Sequence, residues 1–160
     1  MRGLVARPLA GAVLGASAPA CRGATDAGAQ PPVRRTPDQQ AGTMKIRIDV
    51  EGRSLSATLD DTEAARDFAS LLPLTVKLED HASTEKIADL PRRLSTRGAP
   101  PGSDPDVGDI AYYAPWGNLA VYYRDFGYSA GLVKLGRIDA GVEALERPGP
   151  LRVTIARVEP

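Results

Sequence analysis

One cysteine and one histidine in 160 residues exclude several functions at once. A single thiol rules out an internal disulfide framework. The histidine, His81, stands in the run Glu79-Asp80-His81 with Glu85 close behind. A strand-end run of that kind does not converge its side chains, and transition-metal sites typically need three or four placed ligands, so no metal is expected. Nucleotide and acyl-transfer signatures are missing too. There is no nucleophile elbow or dinucleotide fingerprint, and the Gly-x-x-x-x-Gly spacings lack the Lys-Ser/Thr of a phosphate loop, so no cofactor is expected. An excess of one charge is also absent. The 20 Lys and Arg balance the 20 Asp and Glu, which leaves no electrostatic footprint for nucleic acid. No apolar run reaches the ~18–20 residues that cross a bilayer, so no transmembrane helix is expected. Aromatic residues make up only 5% of the chain, and residues 1–44 contain none.

That first stretch differs from the rest. Residues 1–44 hold five of the 14 prolines together with many Ala, Gly and Gln. Such a segment cannot bury enough apolar surface to offset chain entropy. Its five Arg against two Asp leave residues 45–160 mildly acidic, at a net −3. The opening MRGLVARPLAGAVLGASAPAC has a positive start at Arg2 and Arg7, a short apolar run over 9–20, and small residues before Cys21. This is the layout of a secretory signal, and with its terminal cysteine it resembles a bacterial lipoprotein signal. The resemblance implies lipidation of Cys21, a leader over 1–21, and a location in the bacterial envelope or periplasm. Residues 22–43, with Pro31-Pro32 and Gln39-Gln40, are then a flexible tether. Two other readings stand beside it. Cys21 is an incidental thiol in a disordered leader, or translation starts at Met44 and the protein is cytoplasmic.

From 44 to 160 the pattern is that of one domain of common size. Ile46, Ile48 and Val50 alternate with polar residues, Glu51-Gly52 turns, and Leu55, Ala57 and Leu59 return, which predicts a hairpin. Asp60 to Glu63 supplies capping and acidic first-turn residues for a helix over about 62–71, with Ala65, Phe68, Ala69 and Leu72 inward and Pro73 ending it. Residues 74–78 alternate again, and a short run follows around Lys86-Ile87-Ala88. Residues 91–106 read as an irregular loop, with the basic Arg92, Arg93 and Arg97 as a solvated patch. Strands at 109–114 and 118–124 flank a turn at Pro115-Trp116-Gly117. A further strand covers 132–138, a short helical turn about 139–145, and a last strand 151–158. About eight short antiparallel strands with turn signals at this spacing predict a mainly β, closed or nearly closed barrel.

The blocks MKIRIDVEGRSLSATLDDTEAARDFASLLPLTVKLED, EKIADLP, GDIAYYAPWGNLAVYYRDF and GLVKLGRID resemble the bacterial cyclophilin-like fold family in order and spacing. The resemblance implies a closed eight-stranded antiparallel barrel with a helix plugging each end. It also suggests one enzyme class, peptidyl-prolyl isomerase. Cyclophilins twist the prolyl peptide against an Arg set in a Phe-His-Arg strand motif. The matching strand here, Glu85 to Leu90, has no such motif, and the later Gly-Ser-Gln-Phe-Phe strand is replaced by Gly117-Asn118-Leu119-Ala120-Val121-Tyr122-Tyr123. The expectation is therefore a domain that binds a peptide or small molecule without catalysis. The alternative is an isomerase with a relocated Arg, Arg137 or Arg124.

The candidate site is the aromatic hairpin. Ile110 and Tyr112 share one strand face and Ala111 and Tyr113 the other, while Leu119, Val121 and Tyr123 alternate with Ala120 and Tyr122. One face fills the barrel, so one tyrosine of each adjacent pair points outward or into a groove. Tyr113, Trp116, Tyr122, Tyr123, Arg137 and Glu85 are the ligand-binding candidates, because aromatic area with polar tips suits such grooves. Ordinary barrel packing is the competing reading of the tyrosines. For Arg137, beside Gly136, the choice is between a ligand carbonyl or carboxylate and an ion pair with Asp109 or Asp139.

Overall fold

The computed structural model describes residues 42–159. The leader, Cys21 and the tether up to residue 41 lie outside the described residues. Alternating apolar residues form β1 (Met44–Val50) and β2 (Arg53–Leu59), which pair in register from Met44↔Leu59 to Val50↔Arg53. The helix α1 (Glu63–Ala69) follows, and Thr62 Oγ1 accepts the Ala65 N–H at 3.2 Å as its N-cap. Next come β3 (Leu74–His81), β4 (Glu85–Asp89), β5 (Gly102–Ser103), β6 (Asp109–Tyr113), β7 (Asn118–Tyr122), β8 (Ser129–Ala130) and β9 (Leu132–Ala140). A 3-10 helix (Val142–Leu145) and β10 (Leu151–Arg157) complete the chain. Eight strands close an antiparallel barrel in the order β1-β10-β3-β4-β7-β6-β9-β2, the expected fold class. Closure leaves no barrel edge to pair with another chain.

Inward residues of every barrel strand merge with Phe68, Ala64, Ala65 and Ala69 of α1 and with Leu145 of the 3-10 helix into one core. The two helices sit at opposite ends. The helix α1 leaves β2 at the end where Met44 meets Leu59. Arg147, just past the 3-10 helix, pairs with Glu51 in the β1–β2 turn at 2.5 Å.

Three differences from the sequence pattern have local causes. Both helices are shorter than expected, since Ser70 caps α1 and residues 139–140 extend β9 opposite β2, with Gly141 at φ 91° breaking the strand. Residues 91–106 are tied down rather than freely solvated. Arg92 makes bonds of 2.6 and 3.0 Å to the two Asp67 oxygens, Arg93 Nη1 donates to Ala114 O at 2.6 Å, and the Leu94 N–H donates to the Tyr112 hydroxyl at 3.2 Å. Finally, β5 and β8 make a two-residue ribbon outside the barrel, too short to show any periodicity in sequence.

The β3–β4 turn carries a cost. Ala82 (φ 49°) and Ser83 (φ 58°) are both left-handed, and Thr84 N–H closes the turn on His81 O at 3.1 Å. Two positive φ values favour Asn-Gly, and an L-residue with a Cβ gives up roughly 1 kcal/mol there. Ser83→Gly is expected to stabilise the fold by about 0.5 kcal/mol, after its own entropy cost. The readout is a higher urea midpoint at unchanged slope. A lower midpoint would show that the turn is not strained.

Candidate functional site

The outer face of β4, β7 and β6 is covered rather than solvated. Along β7, Leu119 and Val121 point into the barrel, whereas Asn118, Ala120 and Tyr122 point out, and all five residues of the strand are buried. Outward Ala111, Ala120, Tyr122 and Leu132 form a second apolar cluster, with Ile87 and Tyr113 packed against it. The cover is the segment after β7. Tyr123 and Arg124 N–H groups both donate to Thr84 O at 3.1 Å, and the chain crosses the face until β8 pairs with β5. Between cover and sheet lies a cleft of about 170 Å³.

The floor of this cleft is Ile87, Ala120 and Tyr122, and its walls include Phe126 and Ser129 from the covering segment. Tyr122 and Phe126 stack at 6.2 Å between ring centroids. At the mouth, Trp116 in the β6–β7 turn meets Tyr113 and His81 edge-on, each at 5.4 Å. Trp116 is 59% exposed and Phe126 41%, so both present open ring surface. Two polar side chains are sunk deeper. Glu85 stands opposite Tyr122 across the β4–β7 ladder and takes a 2.6 Å bond from Thr84 Oγ1 on Oε2. Asn118 lies opposite Tyr113, and its buried Oδ1 has no hydrogen-bond partner among the described residues. Burial first, then the charge of Glu85 and the neighbouring Tyr113, push the Tyr122 phenol well above its ordinary range. Near neutral pH it is a hydroxyl, able to donate and accept, and not a phenolate base.

A model of the cyclophilin-like family matches residues 48–156, which is the barrel with this cleft on its flank. The chain belongs to the cyclophilin-like family. No curated protein matches the chain. Among solved structures, the cyclophilin-like domain is similar to the hypothetical protein AF2241 from Archaeoglobus fulgidus. The TM-score is 0.54 at 20% identity, over 73% of this chain and 96% of that one. At that identity the likeness speaks for the fold alone.

Of the six candidate residues in the cyclophilin-like domain, four come together in the cleft: Glu85, Tyr113, Trp116 and Tyr122. Tyr123 does not. It is an inward residue of the main core, and its hydroxyl donates to Asp80 Oδ1 at 3.2 Å. Arg137 does not either. It lies opposite Asp109 at the far end of β6 from Tyr113, 3.5 Å from both Asp106 and Asp109, and donates to Val107 O at 2.8 Å. Its place is the ion pair that competed with the ligand role. Six further residues of the cleft, His81, Ile87, Asn118, Ala120, Phe126 and Ser129, were not among the sequence candidates. For Asn118 the signal was there, since it keeps step with Ala120 and Tyr122. His81 required knowing that β3 runs on to residue 81 and pairs His81 with Glu85.

Proposed function

We propose that this cyclophilin-like domain binds a peptide side chain or a small molecule in the outer-face cleft without catalysing a reaction on it. One observation carries the reading. A face of the barrel that needs only packing instead holds a cleft with two exposed aromatic rings at its mouth and a buried, unpartnered amide oxygen in its wall. Buried polar atoms are normally paired, and an exception in a concave aromatic site suits a ligand that supplies the partner. The volume, below the roughly 300–1,000 Å³ of drug-sized sites, suits one side chain or a small ligand. Against isomerisation stands the cleft's charge. No Arg or Lys lines it among the described residues, and Arg124 and Arg137 are both outside its lining.

A panel of short peptides and metabolites titrated against the intact chain tests this. Members of the panel are expected to alter Trp116 emission and to raise the melting temperature. At 100 times Kd the stabilisation amounts to about 2.7 kcal/mol. A panel that moves neither signal sinks the proposal. So does proline-isomerase turnover in a protease-coupled assay that disappears in Arg124→Ala or Arg137→Ala.

We also propose that a lipid on Cys21 holds the domain at the bacterial envelope, with 22–43 as tether. The support is the layout of the first 21 residues. Intact mass of the mature chain is expected to show a lipidated Cys21; an N-terminus at Met44 would place the protein in the cytoplasm instead.

A further inference from the structure

We infer that the occupant of the cleft is a cation with N–H donors, an ammonium or guanidinium group on a short apolar stem. The inference rests on the binding reading above and names the chemistry that the site selects. Glu85 is 7% exposed, yet among the described residues its side chain forms no ion pair, and the only hydrogen bond of its carboxylate is the one Thr84 Oγ1 gives to Oε2. A buried carboxylate is costly unless a cation or several donors face it. Asn118 Oδ1, in the same lining, is an acceptor as well, and it is buried with no partner among the described residues. Both groups therefore call for donors. The remaining surface is aromatic, with Tyr113, Trp116, Tyr122 and Phe126 around the cavity. Ring faces attract cations through their quadrupole, and more strongly where water is excluded.

Size and charge narrow the choice. A cavity of about 170 Å³ corresponds to about six waters at ~30 Å³ each, room for a head group and a few methylenes. An anion would meet Glu85 with no compensating Lys or Arg in the lining. A neutral apolar group would leave Glu85 and Asn118 as they are. A quaternary amine would satisfy the rings but offer neither acceptor a proton. A primary amine or a guanidinium answers both needs, whether it belongs to a free metabolite or to a Lys or Arg side chain of a peptide.

The test uses probes of matched length on the full chain, followed by Trp116 emission and by calorimetry. n-Butylammonium represents a free amine, and N-acetyl-arginine methylamide and N-acetyl-lysine methylamide represent peptide side chains. n-Butanol and butanoate are the neutral and anionic controls. At least one cationic probe is expected to bind saturably and at least tenfold tighter than both controls; whether the free amine or the capped residues bind tighter identifies the source. Glu85→Gln is expected to cut the cation's affinity at least tenfold and to remove the preference for the cation over butanol. If butanol or butanoate binds as tightly as the cations to the wild-type chain, the cationic assignment is overturned and the binding cleft stands. If Glu85→Gln keeps the full preference, the assignment is overturned equally. If no probe binds, both the assignment and the binding reading fall. The wild-type comparison decides the matter even where the variant folds poorly.

Discussion

Gly136→Ala is expected to destabilise the barrel by about 3 kcal/mol or more, through overpacking and broken ladder bonds. Gly136 lies in β9 between Ile110 of β6 and Leu59 of β2. A Cβ built there would stand 2.2 Å from Thr58 O and 2.7 Å from Leu59 Cα. Both are backbone atoms of the neighbouring strand, so no rotamer change makes room. The strands must part, and with them go the pairing of Leu59 with Gly136 and the bond from Asp60 N–H to Leu135 O at 2.8 Å. Opening one seam of a closed barrel disturbs both neighbours, because there is no edge at which the displacement can be absorbed. Against a total stability of roughly 5–15 kcal/mol the loss is large. A urea midpoint lower by 1 M or more is the expected reading, at the usual slope of about 1–3 kcal/mol per M. Gly127→Ala is the control. Nothing lies within 4 Å of a Cβ at that position, so little change is expected. If Gly136→Ala also stays within 1 kcal/mol of wild type, the strands are not packed as closely as described.

The barrel was legible because its strands carry a strict period of two on the core side. Ile46, Ile48 and Val50, or Val153 and Ile155, need no tertiary knowledge to be assigned inward. A glycine inside a strand pattern marks a close approach of another group, and at Gly136 that group is the β2 backbone. What stayed hidden depends on contacts distant in sequence. The β5–β8 ribbon joins residues 102–103 to 129–130, and it exists because these segments meet, not because either has strand character of its own. Arg92 and Arg93 look like a solvated patch until α1 and the 113–117 turn supply Asp67 and Ala114 O.

The cleft was half legible for a related reason. Alternation puts Tyr112 and Tyr113 on opposite faces, and likewise Tyr122 and Tyr123, but β7 is buried on both sides. When the outside of a strand is as apolar as the inside, periodicity loses its power to say which face is which. The decision comes from the cover. The segment carrying Phe126 and Ser129 closes over Tyr122, so Tyr122 belongs to the cleft and Tyr123 to the core. Arg137 misled because nearness in sequence to Gly136 and the aromatic block is not nearness on the sheet. It is paired with Asp109 while Tyr113 is paired with Leu132. Four strand steps at ~3.3 Å each separate the two positions.

Replacing Lys86 by methionine is expected to cost about 3 kcal/mol, although the two side chains are similar in length. Lys86 is an inward residue of β4 with no exposed surface. Its Nζ lies 2.6 Å from Asp80 Oδ1 and donates to Arg147 O and Gly149 O, both at 2.8 Å, with the Tyr123 ring 5.9 Å away. Three donors meet three acceptors, so the ammonium is fully satisfied without water, and it ties the loop after the 3-10 helix to the barrel. Methionine fills the space and donates nothing. Two carbonyls then lose their donor and the Asp80 carboxylate loses one of three, keeping the Gly149 N–H and the Tyr123 hydroxyl, at about 1–3 kcal/mol for each group left buried and unpaired. The Asp80 side chain is 34% exposed and recovers some solvation, which holds the total to about 3 kcal/mol rather than the 5 of a fully buried pair. Acid gives a second readout. The hydrogen bond from Lys86 is the largest influence on Asp80; burial opposes it, and the Gly149 N–H, the charge of Lys86 and the Tyr123 hydroxyl reinforce it, leaving the carboxyl below its ordinary range. A carboxyl depressed in the folded state adds stability above its unfolded pKa, about 3.9, and loses it as pH falls through the folded value. The stability gap between wild type and Lys86→Met is therefore expected to be full at pH 7 and to narrow below about pH 4. Urea titrations of both proteins at pH 7 and pH 3 measure it. A gap that stays constant would mean that the carbonyls of Arg147 and Gly149, and not Asp80, account for what Lys86 contributes.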